Sequence, residues 1–154
     1  MKKLVWIGFL LVLSAFAQGR AFLEGSTSSI DLTFTNPTQF GLQLDLSGGV
    51  KELAGPFGLK GGAGINVEQG TASFNLSAGA LFSFGRSGII PQAGLGFRAN
   101  FGGGTTTFAV QAQVGLEYPV NRNVSLVVDT LPTVRFGGQT VFAINMRAGL
   151  RVYP

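Results

Sequence analysis

The residues of this sequence that could do chemistry are ten charged side chains at alternate positions within apolar stretches. Two neighbouring carboxylates can act as general acid and base, whereas a carboxylate beside an ammonium or guanidinium group forms an ion pair. Five are acidic and five are basic, and an unpaired buried charge is costly, so we predict a structural network of ion pairs. The set is Asp31, Asp45, Lys60, Glu68, Arg98, Glu117, Asp129, Arg135, Arg147 and Arg151.

Nucleophilic and metal chemistry have few candidates. The chain contains no histidine and no cysteine, which removes Ser-His triads, cysteine nucleophiles and the usual zinc ligands. The glycine clusters at 61–62 and 102–104 lack the strand-to-helix context of a phosphate-binding loop. We therefore expect no catalysis, no cofactor and no metal.

The elements that carry the ten charges alternate with a period of two, which is typical of β-strands. Phe108, Val110 and Val114, for example, alternate with Gln111 and Gln113. No helical periodicity is found after residue 28. The sequence predicts eight strands: a short first one at 30–34, then 40–47, 57–68, 71–84, 90–101, 105–120, 124–136 and 142–152.

Short turns join the eight predicted strands, at 36–39, 52–56, 69–70, 85–88, 102–104, 121–123 and 137–139. Each contains Gly, Asn or Pro, the residues that tight turns require. Neighbouring strands joined by short turns make an antiparallel up-and-down meander, and closing it into a barrel removes its two unpaired edges. The fold class we predict is therefore all-β, an eight-stranded barrel.

Alternation alone does not say whether the apolar face points inward or outward to lipid. All ten charges lie on the polar face and sum to zero, as a filled lumen requires. Glycine recurs on the same face, where the interior of an eight-stranded barrel is narrow. These glycines are Gly62, Gly64, Gly79, Gly94, Gly96, Gly115 and Gly149. We predict a transmembrane barrel with lipid outside.

Aromatic residues near the strand ends, on or beside the apolar face, predict the two girdles of an outer-membrane barrel. They are Phe34, Phe40, Phe57, Phe84, Phe101, Tyr118, Phe136, Phe142 and Tyr153. Some positions depart from the pattern. Pro132 falls within a strand on the lipid face, where a bulge is expected to absorb it. Four apolar residues fall on the polar face: Leu81, Val127, Leu131 and Val141.

The N-terminus predicts export. Lys2 and Lys3 precede an apolar run at 4–13, and Ala15-Phe16-Ala17 is a small-x-small cleavage pattern. We divide the chain into a signal peptide at 1–17, a segment at 18–28 that is either an arm or a bulged start of the first strand, and the barrel at 29–154. Without the leader the chain carries nine basic and seven acidic residues, too weak a balance to indicate a nucleic-acid partner.

The C-terminal third carries the most specific pattern. Gly115-Leu-Glu-Tyr-Pro-Val-Asn-Arg-Asn-Val-Ser-Leu, a strand, a tight turn and a strand, resembles the outer-membrane β-barrel superfamily of OmpA- and OmpX-like proteins. The closing Arg147-Ala-Gly-Leu-Arg-Val-Tyr153 is similar to their C-terminal assembly signal, although Pro154 follows it. The resemblance implies a bacterial outer membrane, both termini in the periplasm, and partners limited to membrane lipid and, transiently, the barrel assembly machinery, with a monomer favoured.

Three functions remain open at this stage. The first is a small structural barrel for envelope integrity with a lumen filled by side chains, because eight strands leave no wide aqueous pore. The second is a soluble periplasmic or secreted barrel of lipocalin type, with an apolar ligand inside. The third is a narrow channel for small polar solutes along the charged lining.

Overall fold

The computed structural model describes residues 19–34, 39–68, 70–137 and 140–154, and for 29–32, 39 and 40 it describes the backbone only. The predicted signal peptide therefore lies outside the described residues. Within them, no helix is long and apolar enough to cross a membrane. The strands are β1 (Arg20–Phe34), β2 (Gln39–Ala54), β3 (Phe57–Glu68), β4 (Thr71–Ser83), β5 (Ile90–Gly102), β6 (Thr105–Pro119), β7 (Val124–Phe136) and β8 (Val141–Val152).

The eight strands form one closed barrel in chain order. Every strand is antiparallel to both neighbours, and β8 pairs with β1 to close the sheet. The prediction of an eight-stranded up-and-down barrel is confirmed. We call the end at which β1 starts and β8 stops the terminal end, and the opposite end, with the turns at 70 and 103–104, the distal end.

The first strand is longer than the predicted 30–34 and includes most of the segment 18–28, for which an arm and a bulged start of the strand were both left open. β1 begins at Arg20 rather than at residue 30, so residues 20–28 pair with β2 and β8. The register shifts between Ser28 and Asp31, which marks a bulge. Before the bulge, the even-numbered Phe22 and Glu24 are buried inside the barrel. After it, the odd-numbered Thr33 is buried inside instead. Residues 21–28, before the bulge, alternate regularly between the two faces, and the sequence hides this because the apolar Phe22 shares the inner face with Glu24.

The predicted turn at 52–56 is also shorter in the structure. β2 continues to Ala54, and its register with β3 shifts between Val50 and Ala54. Glu52 adopts a φ of 59°, a conformation that side chains rarely take. Lys51 still pairs with Arg20 in the regular part of the β1–β2 ladder, has the parity of Asp45 and is buried inside the barrel.

Pro132 is accommodated without the expected bulge. Gln111 faces Thr133 and Val114 faces Thr130, so the register of β6 with β7 is the same on both sides of the proline. The ladder between these pairs is interrupted, while Pro132 still lies opposite Ile144 on β8. The proline therefore removes the local pairing of β7 with β6 and leaves the register of the two strands unchanged.

The polarity of the barrel is inverted relative to a soluble protein. Large apolar side chains cover the outside, for example Leu46 at 67% exposed and Phe97 at 68%. The inside contains carboxylates, guanidinium groups and amides, together with the apolar Leu81, Val127 and Leu131 predicted for that face. A lipocalin-type barrel needs the apolar face inside, so that alternative is wrong for this chain.

Candidate functional site

The candidate site is the barrel lumen, and its most buried part lies near the terminal end around Arg151. Arg151 and Glu24 face each other directly across the β8–β1 ladder. The Arg151 Nη2 donates to Glu24 Oε2 at 2.6 Å, and its Nη1 donates to Glu117 Oε2 at 2.7 Å. Lys60 pairs with Glu24, and Lys51 Nζ lies 2.7 Å from Glu117 Oε2. Each of the two carboxylates is thus neutralised by at least two cations.

Tyr153 closes the same end. Its hydroxyl donates to Glu117 Oε1 at 2.5 Å, and its ring meets Phe22 edge-on at 6.2 Å between centroids. The Arg20 guanidinium lies 3.8 Å from the centre of the ring. Phe22, Leu81 and Tyr153 form a buried apolar cluster, which we call the terminal plug. Burial raises the pKa of the Tyr153 hydroxyl, so it is neutral at physiological pH.

The middle of the lumen is bridged by a second set of pairs. Asp129 faces Arg147 across the β7–β8 ladder, and the Arg147 Nη2 donates to Asp129 Oδ2 at 2.7 Å. Arg98 donates to Gln43 Oε1 at 2.7 Å and lies 3.8 Å from Asp45. Beside these pairs is a void of about 30 Å³, bordered by Lys60, Gln111, Gln113 and Arg147 among others. This is room for one or two water molecules.

Within the described residues, which do not include 35–38, 69 and 138–139 of the distal turns, the lumen is open at the distal end. Arg135 Nη1 lies 3.2 Å from Glu68 Oε2 and donates to Thr33 Oγ1 at 3.2 Å. A cavity of about 480 Å³ extends from this pair to the mouth and is lined mainly by hydroxyl and amide side chains. We call it the distal vestibule.

Glycine makes room for two of the carboxylates. Gly115 faces Asp129 across β6 and β7, and Gly64 faces Asp45 across β2 and β3. A Cβ added to Gly115 would overlap the Asp129 carboxylate and lie 2.5 Å from the backbone oxygen of Val128, and one added to Gly64 would overlap the Asp45 carboxylate and lie 2.5 Å from the backbone oxygen of Leu44. These are impossible contacts, so the glycines on this face are a steric requirement of the narrow lumen.

Nine of the ten charges singled out from the sequence have described side chains, and the structure places all nine inside the barrel in at least one ion pair. The side chain of Asp31 lies outside the description. Sequence reasoning missed Glu24, which the bulge of β1 turns inward, and Lys51, which has the parity of Asp45 but lies beyond residue 47, where the predicted second strand ended. No group of carboxylates able to hold a metal ion occurs in the described part of the chain.

The predicted aromatic girdle is only partly as expected. Tyr153 was wrongly assigned to it: the residue is 2% exposed and lies in the terminal plug. The phase of β8 carries this information, because Arg147, Gly149, Arg151 and Tyr153 share one parity. Phe57 is half-buried against Phe82, and the side chain of Phe40 is not described. The others are exposed on the outer surface: Phe34, Phe84, Phe101, Tyr118, Phe136 and Phe142.

Comparison by sequence gives nothing: no protein-family model matches the chain, and no curated protein matches it. Comparison by structure is informative. The chain is similar to Neisserial surface protein A, NspA, with a TM-score of 0.71, 17% identity, and coverage of 87% of this chain and 97% of that one.

Two further structures share the architecture. The N-terminal β-barrel domain of Pseudomonas aeruginosa OprF has a TM-score of 0.59 and 16% identity over 87% of this chain and 98% of its own. The outer membrane enzyme PagL has a TM-score of 0.55 and 13% identity over 86% of this chain and 99% of its own. The chain therefore has the fold of the small eight-stranded outer-membrane β-barrels. At these identities the likeness concerns the fold alone.

Proposed function

We propose that this chain is an exported structural protein of the bacterial outer membrane, a barrel that spans the bilayer and supports the envelope while its lumen stays closed. The observation that carries the proposal is the inverted polarity, with apolar side chains outside and paired charges inside. Lipid is the solvent that suits such an outer surface, since a soluble monomer rarely exposes so large an apolar area.

The inner charges support the same proposal. Arg151, Glu24 and Glu117 are fully buried, and burying them without partners would cost several kcal/mol each. Mutual pairing offsets this cost and ties β8, β1 and β6 together. A bilayer-spanning barrel has all of its backbone groups paired in a closed sheet, so its remaining polar groups can collect in the lumen without meeting lipid.

The lumen is closed rather than conducting because three obstructions follow one another along it. The terminal plug and the Arg151 cluster fill the terminal end, and the Arg147–Asp129 pair crosses the middle beside the void of about 30 Å³. This filling favours the structural role over the narrow channel. It also places the wide part of the lumen at the distal end.

The remaining expectations are part of the proposal. The resemblance implies the terminal end in the periplasm, insertion by the barrel assembly machinery, and a monomer. We propose that the protein is not an enzyme and needs no cofactor. PagL shows that the fold can carry an enzyme, but the present sequence contains neither histidine nor cysteine for nucleophilic chemistry.

Fractionation of bacteria that express the full chain tests the proposal. We expect the mature protein in the outer-membrane fraction, with a folded form that migrates differently from the boiled form on detergent gels. A folded monomer in the periplasmic fraction that stays soluble without detergent would contradict bilayer insertion.

The closed lumen is tested separately in planar bilayers. We expect the purified barrel to give no steady conductance. Regular conductance steps that change in the Arg147→Ala variant would replace the structural proposal with the channel.

A further inference from the structure

The distal vestibule is larger than a closed structural barrel requires. Its volume of about 480 Å³ lies within the range of about 300–1,000 Å³ that is usual for ligand pockets. The terminal plug and the ion pairs seal its floor, so a solute that enters from the distal mouth stops there. The vestibule is therefore a dead-end pocket.

Among the side chains that the structure describes, which do not include Asp31, the wall is polar and its charges cancel. Glu68 and Arg135 are the charged residues of this described wall, and they pair with each other. Around them, Thr33, Asn66, Asn100 and Thr107 present hydroxyl and amide groups, each able both to donate and to accept hydrogen bonds. A wall of this kind offers little to an ion and much to a neutral solute with many hydroxyl groups.

One of these polar groups lacks a partner, which indicates that something else satisfies it. Asn66 is 7% exposed and lines the vestibule, and its Oδ1 has no hydrogen-bond partner among the described residues. Asn75, opposite Asn100 in the β4–β5 ladder, is fully buried and also lacks a partner within the same described set, but it does not line the vestibule. Buried amides are almost always hydrogen-bonded, so Asn66 calls for a polar molecule in the vestibule.

We infer that the distal vestibule binds a carbohydrate, a neutral polyhydroxylated solute whose hydroxyl groups reach Asn66 and Thr107 and bridge the Glu68–Arg135 pair. A sugar hydroxyl donates to a carboxylate and accepts from a guanidinium group, so it needs no free charge in the pocket. The saccharide is either free in solution or attached to a lipid in the membrane around the barrel. The inference depends on the geometry of the lumen and not on the structural role proposed above.

The first experiment titrates the refolded mature barrel in lipid nanodiscs with methyl glucoside and methyl galactoside, followed by isothermal titration and saturation-transfer NMR. Glycine betaine, a small zwitterion, is the comparison solute. In a second arm, nanodiscs contain a lipid that carries a saccharide headgroup, and its competition with methyl glucoside is measured. Binding of the free glycosides, or of the lipid-linked saccharide alone, supports the inference and identifies the source.

The matched variants are Thr107→Val and Thr106→Val, because the two threonines are neighbours on β6 and only Thr107 lines the vestibule. We expect Thr107→Val and Asn66→Leu each to weaken saccharide binding about tenfold, the usual cost of one lost hydrogen bond. The affinity of the Thr106→Val barrel for the saccharide should stay within about twofold of that of the unmodified barrel, because no hydrogen bond to the saccharide is lost. The heat-modifiable gel shift shows that each variant is folded.

Three results would overturn the inference. One is no saccharide binding in either arm, which leaves water as the partner of the Asn66 amide. Another is saccharide binding that Thr107→Val and Asn66→Leu leave unchanged, because it would then occur elsewhere. The last is tighter binding of glycine betaine than of either glycoside, which would assign the pocket to charged solutes.

Discussion

Arg151 and Glu24 join the last strand to the first, with two guanidinium nitrogens 2.9 and 2.6 Å from one carboxylate oxygen. Both side chains are fully buried and face each other directly in the ladder that closes the barrel. Arg151, the second-last residue of β8, is thus held by the start of β1, and the same guanidinium reaches β6 through Glu117. One side chain ties three strands.

Removing this guanidinium should be strongly destabilising. Arg151→Met leaves Glu24 and Glu117 short of a cation in a buried site, and we expect a loss of about 3–5 kcal/mol in the free energy of unfolding. The double variant Arg151→Met/Glu24→Gln should recover part of that loss, because it removes one unpaired charge. Urea unfolding in phospholipid vesicles, followed by far-ultraviolet circular dichroism, measures the stability of both variants. Tryptophan fluorescence would not serve, because the only tryptophan, Trp6, belongs to the predicted leader.

The control is Arg86→Met. Arg86 is exposed beyond β4, 3.7 Å from Glu52, so its removal should change the free energy of unfolding by less than about 0.5 kcal/mol. Equal losses in Arg151→Met and Arg86→Met would show that the buried pair does not stabilise the closure.

Gly115 should not tolerate a methyl group. The Gly115→Ala Cβ would overlap the carboxylate of Asp129 and separate it from Arg147. We expect a loss of about 1–3 kcal/mol in the free energy of unfolding, as for other overpacked sites.

Gly25→Ala is the matched control for the glycine prediction. Gly25 lies on β1 with nothing within 4 Å of an added Cβ. Alanine there should leave the barrel as stable as before or up to about 1 kcal/mol more stable, because alanine loses less backbone entropy. Urea unfolding of the Gly115→Ala and Gly25→Ala barrels in vesicles measures the two free energies of unfolding. An unchanged free energy of unfolding in Gly115→Ala would refute the steric argument.

The strand pattern and the charge set could be predicted because both follow from strict alternation. In a barrel with no irregularity, parity alone assigns each residue to one face. Asp129 and Arg147 were found in this way, and the structure places the Arg147 Nη2 2.7 Å from the Asp129 Oδ2.

The two missed residues have different causes. Glu24 precedes the bulge of β1, and a one-residue change of register moves a side chain to the other face. Lys51 has the same parity as Asp45, but it lies beyond residue 47, where the predicted second strand ended. The assignment of Tyr153 to the aromatic girdle was a different kind of error. Its parity with Arg151 pointed inward, and the expectation that a terminal aromatic contacts lipid overrode the pattern. Which cation pairs with which carboxylate could not be predicted either, because this depends on the stagger of eight strands.

The hydroxyl of Tyr153 should contribute measurably to stability. Tyr153→Phe keeps the contact with Phe22 and removes the hydrogen bond to Glu117, and we expect a loss of about 1.5–3 kcal/mol at neutral pH. Burial raises the pKa of Tyr153 in the folded protein. The stabilisation is therefore complete below the unfolded pKa of about 10 and is lost as the pH rises through the higher folded value.

Tyr118→Phe provides the comparison, since Tyr118 is exposed on the outer surface. Its effect on the free energy of unfolding should be much smaller at the same pH. If the two variants lose the same stability, the Tyr153–Glu117 bond has no special contribution.

Pro132 should be replaceable with a gain in stability. Pro132→Val restores a backbone N–H in the interrupted part of the β6–β7 ladder, where the register is already correct for pairing. We expect the free energy of unfolding to rise by about 1 kcal/mol, the usual net value of one hydrogen bond. Amide exchange of the residues beside the interruption should slow as well. A less stable Pro132→Val barrel would mean that the interruption is required for packing.

The terminal plug is one of three obstructions in the lumen, so its removal alone should not open a conducting path. The triple variant Phe22→Ala/Leu81→Ala/Tyr153→Ala removes the three apolar side chains that cover the ion pairs at that end, so water should reach the network around Arg151. We still expect no steady conductance in planar bilayers, because the Arg151 cluster and the Arg147–Asp129 pair remain in place. The control exchanges the outward-facing Leu95, Phe97 and Tyr118 for alanine, which leaves the lumen unchanged. Conductance in the plug variant but not in the control would show that the plug is the barrier and that the two ion-pair layers do not block the lumen.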